Sequence, residues 1–516
     1  MSKTDDRDPQ EPQLNSDRVN NRSRRPSSKA FKEFIGSHWG PRTNPMPKLQ
    51  ESAPWAHKHR LAISELFKGE RLVIPAGQLV RRNNDNDYRF RPHSAFAHLS
   101  GLGQDLEPDT ALVLHPLTQA EMEESGETHV AYLYFKPRTS RGSEEFYADS
   151  RYGELWVGAR PSLEEMEALT GIRCAHIDTL PDALAKDLGT VQIRVLRDAD
   201  VAITALVETA RQQAGLPYGE DSQAADDRLE EALSEIRLCK DEWEISQMRL
   251  AVDATKAGFE EMIRAIPRAI EHHRGERVIE GAFGAKAREY GNGLGYETIA
   301  ANGEHGTTLH WIGNDGRVVP GDVILIDAGV EVDSLYTADI TRTLPVNGRF
   351  SEAQAKVYQA VLDAADAAFE RASEPGCIFG DVHDRAMEVL ADRLHSWGLL
   401  PEGVSVADTL APEGQYHRRW MVHGTCHHLG LDVHDCAQAS ADMYLGAKLQ
   451  PGMCFTIEPG LYFRTDDMAV PEELRGIAVR IEDDILVGPD GVCERLSEHI
   501  PRTIEDVEAW MAELLG

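Results

Sequence analysis

Along the first fifty residues apolar positions are sparse and show no period; the segment is rich in Asp, Arg, Asn, Ser, Gln and Pro. Such a stretch cannot bury enough apolar surface to offset the entropy of ordering, so residues 1–50 are predicted to be a disordered tail. Short apolar runs begin after Ala56: Leu72-Val73-Ile74, Ala111-Leu112-Val113-Leu114, residues 130–135 and Leu155-Trp156-Val157. Each has the length and composition of a strand, and residues 162–169 read as a helix between such runs. Residues 56–225 are therefore predicted to form a small α/β domain with a mixed sheet. A polar, acidic segment, residues 219–227, leads out of it.

From residue 230 the period changes. Ile245, Met248, Val252, Phe259 and Met262 recur at helical steps, with Thr255 in the one gap, and mark one face of a helix starting near Asp241. A second helix is predicted near residues 276–290. Strand patterns follow at 323–332 and 338–344, helices at about 352–373 and 381–397, and strands again at 454–462 and 477–487. Strands interleaved with helix pairs predict an α+β catalytic domain over 230–516, with helices covering one face of an antiparallel sheet.

The chain of 516 residues is long enough for two cores, and its 41% hydrophobic and 27% charged residues are ordinary. A formal charge of −32 is not. It argues against nucleic acid and anionic membranes as partners, since both require a basic face. Seven cysteines without a repeating spacing fit a reducing compartment better than a disulfide framework. No apolar run approaches the length of a membrane span. Arg24-Arg25 is followed by Pro26-Ser27-Ser28-Lys29 rather than an apolar region, so the predicted location is the cytoplasm.

Candidate chemistry lies in acids placed where apolar residues would be simpler. Asp327 follows the run Val323-Ile324-Leu325-Ile326, and Asp339 stands twelve residues later in a second strand-like run. Two strands joined by a short turn could set both acids on one face, where they repel unless a cation lies between them. Glu458 ends another β-like run, and Pro459 confines it to an extended conformation. Alternation from Ile477 to Ile481 puts Arg480, Glu482 and Asp484 together on the other face; for Arg480 and Asp484 a solvent-facing ion pair is the simple alternative. Residues 421–436 hold Cys426, Cys436 and the histidines 423, 427, 428 and 434. A thiolate–imidazole zinc site there would need close-spaced cysteine pairs, so both cysteines read as small buried residues. Four carboxylates and at least one imidazole suit Mn²⁺, Co²⁺ or Zn²⁺. Two such ions could share a water as nucleophile, with nearby histidines steadying an oxyanion or moving protons.

These residues resemble a known family. Leu325-Ile326-Asp327-Ala328-Gly329, Asp339-Ile340-Thr341-Arg342-Thr343, His423-x3-His427-x-Leu429-Gly430-Leu431-Asp432-Val433-His434-Asp435, Ile457-Glu458-Pro459-Gly460 and Arg480-Ile481-Glu482 look like signatures of the Xaa-Pro aminopeptidases (aminopeptidase P), the proline-directed branch of the pita-bread metallopeptidases. The resemblance implies a pita-bread catalytic domain and two divalent metal ions, usually manganese. It implies Asp327, Asp339, His427, Glu458 and Glu482 as ligands, with Asp339 and Glu482 bridging and Glu458 handling the nucleophilic water. By the same analogy His310, His423 and His434 are active-site histidines, and Tyr462 and Arg480 stand beside the substrate. His428 falls outside the pattern and is predicted to be a surface or packing residue. Residues 82–91 followed by Ser94, Phe96, Leu99 and Gly101 resemble the family's substrate-side motif, which implicates Asp85. Trp156, Arg237 and Tyr296 match residues around the substrate and neighbouring subunits. The implied activity is release of the first residue from peptides with proline second, by a homodimer or homotetramer. Three other readings share parts of the pattern: a prolidase limited to dipeptides, a methionine aminopeptidase, which would usually lack the large domain before residue 230, and a pita-bread module that binds peptides or proteins without turnover.

Overall fold

The computed structural model describes residues 28–84 and 86–516, which form two compact units. The first takes in residues up to 53, then 67–96 and 105–221; the second takes in 54–66, 97–104 and 222–516. The units are therefore not contiguous in sequence as the pattern predicts: two early segments belong with the second unit. One of them lies in helix α2 (Ala53–Leu66), where Arg60 donates to the Leu99 carbonyl at 2.6 Å and His59 meets Asp241 at 2.9 Å.

In the first unit β1 (Glu70–Pro75), β2 (Ala111–Pro116), β3 (His129–Phe135), β4 (Arg173–His176) and β5 (Gln192–Val195) form one sheet in the order β4-β3-β2-β1-β5. The β1–β2 and β2–β3 pairs are antiparallel and the two outer pairs are parallel, giving the expected mixed sheet. Strand β4, reading Arg-Cys-Ala-His, offers no apolar run and is silent in the sequence pattern. Leu155-Trp156-Val157, predicted as a strand, lies instead in a single helical turn, Glu154–Val157. Glycines at 153 and 158 confine the run, and all three side chains are exposed rather than laid on a sheet. The predicted disordered tail is also corrected where it is described. Residues 28–50 contain helix α1 (Lys29–Ile35), Trp39 packs edge-on to Phe146 at 5.5 Å, and Arg42 pairs with Glu154. A few aromatic and arginine anchors hold a segment whose average composition argues against order. Residues 1–27 lie outside the described residues. The acidic segment 219–227 is mostly helix as well (Glu220–Glu235), because Leu229, Ala232 and Leu233 form a buried stripe just beyond it.

The second unit contains α3 (Glu242–Glu271), α4 (Gly275–Tyr290), α5 (Glu352–Ala372) and α6 (Phe379–Ser396). Asp241 caps α3, its side chain accepting from the amides of Trp243 and Glu244. Thr255, the polar gap in the α3 stripe, is buried and useful: its hydroxyl donates to Ala251 and accepts from the Val330 amide at 2.9 Å. Strands β6 (Ile299–Asn302), β7 (Val323–Ala328) and β8 (Ile340–Pro345) form an antiparallel ladder with β7 central. Ile324, Ile326 and Ala328 join one core with α3 and α4, while Leu325 joins another with α5 and α6. Apolar packing thus covers both faces of this ladder, where one was predicted, which explains the unbroken apolar run of β7. Asp327 projects from the Leu325 face.

The other strands are β9 (Cys454–Ile457), β10 (Gly460–Tyr462), β11 (Ala478–Arg480), β12 (Asp483–Val487) and β13 (Cys493–Arg495). Each long strand predicted here is broken in two. β9 pairs with β12 down to Ile457↔Asp483, and β10 pairs with β11 from Gly460↔Arg480. The break leaves Glu458-Pro459 opposite Ile481-Glu482, where Pro459 has no amide to continue the ladder.

Candidate metal centre

Five ligand candidates reach one cleft of about 600 Å³ through this strand arrangement. In the β7–β8 ladder Asp327 pairs with Thr341, so Asp339, two residues before Thr341, shares its face. The approach is close: a Cβ on Gly329 would lie 1.7 Å from the Ala338 carbonyl oxygen, so only glycine fits. Glu458 and Glu482 enter from the break between the ladders. His427 comes from the loop after Thr425, which is tied to β9 through Thr456 N–H to His427 O and Leu429 N–H to Cys454 O. Asp339, His427 and Glu482 offer ligand atoms within 4.8 Å of one another, and His427 Nε2 lies 3.3 Å from Asp339 and 3.5 Å from Glu458.

Charge makes the case sharper. Burial first, then repulsion from Asp327, raises Asp339 above the usual carboxylate range. Burial likewise pushes Glu458 up to about 7, and burial with three acidic neighbours holds Glu482 well above its ordinary value. Burial opposes a charge on His427, yet Asp339 and Glu458 raise it to about 9. A set of buried oxygen donors plus one imidazole, mutually repelling without a cation, fits hard or borderline divalent ions. Carboxyls raised in the folded state bind protons that the unfolded chain releases, so the EDTA-stripped protein gains stability as pH falls from about 7 toward 4.5. His427, also raised, contributes stability that is lost as pH rises through about 9. The stripped protein should therefore melt higher at pH 5.5 than at pH 8, and divalent ions should remove that difference; equal melting curves would contradict the arrangement.

Around these acids stands a hydrogen-bonded shell. Arg480 is buried and donates from Nη2 to Asp327 Oδ2 at 2.5 Å, from Nε to Thr341 Oγ1 at 3.1 Å and from Nη1 to the Tyr462 hydroxyl at 3.2 Å. Thr341 in turn donates to Glu482 Oε2 at 2.6 Å. The Tyr296 hydroxyl lies between Asp327, at 2.6 Å, and Asp339. His423 Nε2 is 2.7 Å from the Tyr462 hydroxyl, and burial with Arg480 nearby lowers that imidazole to about 3, keeping it neutral. His434 sets its ring edge-on to His427 at 4.4 Å, and burial lowers it too. His310, His423, His434, Glu458, Tyr296 and Arg480 all line the cleft; Tyr462 stands behind it.

Other predicted site residues are placed differently. Asp85 lies outside the described residues. Trp156 is 59% exposed in the first unit, its indole donating to the Tyr147 carbonyl. Arg237 is buried away from the cleft lining, with Nε 3.2 Å from Asp435, a carboxylate shared with Lys240. His428 is a packing residue, buried and stacked on Phe379 at 4.5 Å. Asp484, read as a solvent-facing partner of Arg480, is fully buried and accepts from the Asp339 amide at 3.3 Å, because its ladder is covered on both faces. Thr341 went unnoticed, although strand alternation from Asp339 points to it. All seven cysteines are free thiols. A second cluster, His59, His98 and Glu244, brings possible ligand atoms together but is no metal cradle. The two imidazoles stack at 3.7 Å and 9°, so their in-plane lone pairs do not converge. Both Glu244 oxygens already accept, from the Tyr336 hydroxyl and the Asp241 amide.

Fold and centre together define a two-part metallopeptidase. Residues 246–489 match the model for metallopeptidase family M24, and residues 56–195 match the aminopeptidase P N-terminal domain. The chain is 45% identical over 466 residues to Xaa-Pro aminopeptidase 2 of Streptomyces coelicolor, covering 90% of this chain and 92% of that protein. It is 30% identical to the Xaa-Pro aminopeptidase of Escherichia coli, covering 88% and 96%. The structure superposes on E. coli aminopeptidase P with the inhibitor Pro-Leu at a TM-score of 0.75 and 27% identity, over 91% of this chain and 99% of that one. A zinc-substituted form of the E. coli enzyme with product gives 0.74. The chain belongs to the Xaa-Pro aminopeptidase family, and it is a metal-dependent aminopeptidase that uses divalent ions. Among the described residues no helix is long and apolar enough to cross a membrane.

Proposed function

We propose that the protein releases the first residue from peptides with proline in second position, using two Mn²⁺ ions held by Asp327, Asp339, His427, Glu458 and Glu482. The observation that carries this reading is the convergence of these five groups in one cleft beside His310, His423 and His434. Bound divalent ions supply Lewis acidity: they make water a usable nucleophile near neutral pH and polarise a carbonyl. Asp339 and Glu482, which with His427 offer ligand atoms within 4.8 Å of one another, would hold the ions together with Asp327 and Glu458. Glu458 takes the proton of the attacking water and returns it to the proline nitrogen as the carbon–nitrogen bond breaks. That proton lets the nitrogen leave as a neutral amine rather than as an amide anion. His434, held neutral by burial and lining the cleft, can donate to the carbonyl oxygen as charge develops on it, while neutral His423, with Nδ1 donating to the Gly424 carbonyl, accepts from the Tyr462 hydroxyl and orients it. Tyr296 and Arg480 hold Asp327 and Asp339 in orientation.

The free thiols support a reducing, cytoplasmic setting. The exposed run Leu155-Trp156-Val157 supports a homodimer or homotetramer, which sedimentation would detect. The discriminating assay incubates Mn²⁺-loaded protein with Gly-Pro, Arg-Pro-Pro and a proline-free tripeptide. Release of arginine from Arg-Pro-Pro, with the proline-free peptide left intact, is the expected result. Cleavage of Gly-Pro alone would make the enzyme a dipeptidase, and no cleavage at all would refute the reading.

A further inference from the structure

Leu309, His310 and Ile312 line the cleft, yet residues 308–316 between β6 and β7 contain no helix or strand. A single carboxylate gathers this wall. Glu276, at the start of α4, is 0% exposed, and its ion pair among the described residues is to His305. Its Oε1 accepts from the Asn302 amide at 2.9 Å and from His305 Nδ1 at 2.8 Å. Its Oε2 accepts from the Trp311 indole at 2.9 Å and from the Gly316 amide at 2.7 Å. His305 stacks on Trp311 at 4.0 Å. A Cβ at Gly316 would fall 2.7 Å from Glu276 Oε2, so the chain passes as close as glycine permits. The four donors span the wall from end to end, and one of them adjoins His310.

We propose that Glu276 is a positioning residue for the reaction: it fixes residues 302–316 and thereby sets His310 in the cleft. This inference rests on His310 facing the substrate. Hydrogen bonds to a buried charge are strong and costly to leave half made. In Glu276→Gln the shape is kept, but whichever way the amide turns, its NH₂ meets two of the four donors. Displacement of a positioning wall by about 1 Å can cost roughly 100-fold in rate.

The test uses Mn²⁺-loaded full chain on Arg-Pro-Pro, comparing wild type, Glu276→Gln, His310→Ala and the double variant, with metal content measured for each. Glu276→Gln should lower kcat roughly 10- to 100-fold while binding metal as wild type does. In the His310→Ala background the same change should cost less than about twofold, since the group it acts through is gone. An equal loss in both backgrounds, or full activity of Glu276→Gln, would overturn the proposal. Trp311→Phe removes one donor and keeps an aromatic ring; it should show a smaller loss with the same coupling, so poor folding of Glu276→Gln leaves the idea testable. Hydrogen exchange at the Asn302 and Gly316 amides gives a readout independent of turnover. Faster exchange there with β7 and β8 unchanged supports the assignment, and unchanged exchange refutes it even if wild type cuts no X-Pro peptide.

Discussion

Asp339→Ala should abolish turnover and most metal binding, with the loss exceeding the roughly 10- to 100-fold that a supporting group outside the ligand set costs. Asp339 links two neighbours in the centre: its carboxylate meets the Tyr296 hydroxyl and lies 3.3 Å from His427 Nε2. Its amide is tied to Asp484, so the backbone holds the side chain toward the cleft. Alanine would delete the ligand while keeping β8 in register, because the Ile340 to Pro345 pairings do not involve the side chain. The variant should therefore fold. Metal titration by calorimetry and the Arg-Pro-Pro assay check this directly; an active variant with normal metal content would refute the site assignment.

Arg480→Lys carries the second large expectation. The guanidinium makes three separate contacts, to Asp327, Thr341 and Tyr462, and is wholly buried. A lysine keeps the charge but presents one compact ammonium that cannot span all three. Asp327 and the Tyr462 hydroxyl lose their fixed geometry, and kcat/KM should fall roughly 10- to 100-fold, as for other groups that orient ligands. Arg480→Met goes further, since Asp327 is left without its buried partner; breaking such a pair costs about 3–5 kcal/mol. Thermal unfolding should thus rank wild type above Arg480→Lys and both above Arg480→Met. A methionine variant as stable and active as wild type would show that the guanidinium matters neither to the ligand nor to the fold.

Both experiments concern residues that local pattern could flag but not connect. Asp327 and Asp339 stood out as acids in apolar runs, and the register Asp327↔Thr341 sets them together as the alternation suggested. Glu458 and Glu482 were legible as anomalies too. Their meeting point was not, because the pattern read two continuous strands where Pro459 and Ile481 break both ladders at the same level. Asp484 and Thr341 escaped for a related reason. A polar residue on a strand reads as solvent-facing unless the second layer is known, and here a second core covers that face.

Periodicity along one chain reports which face of an element is apolar. It was therefore enough to mark the α3 stripe, the apolar strand runs of the first unit and the candidate ligands, and the motif resemblance carried the fold class. It does not report what lies across a gap of 26 to 198 residues. That Arg480 reaches Asp327, that Glu276 gathers four donors spread over residues 302–316, and that Arg237 turns to Asp435 rather than to the cleft are facts of packing. They follow from hydrogen bonds and burial between segments distant in sequence, which no local pattern encodes.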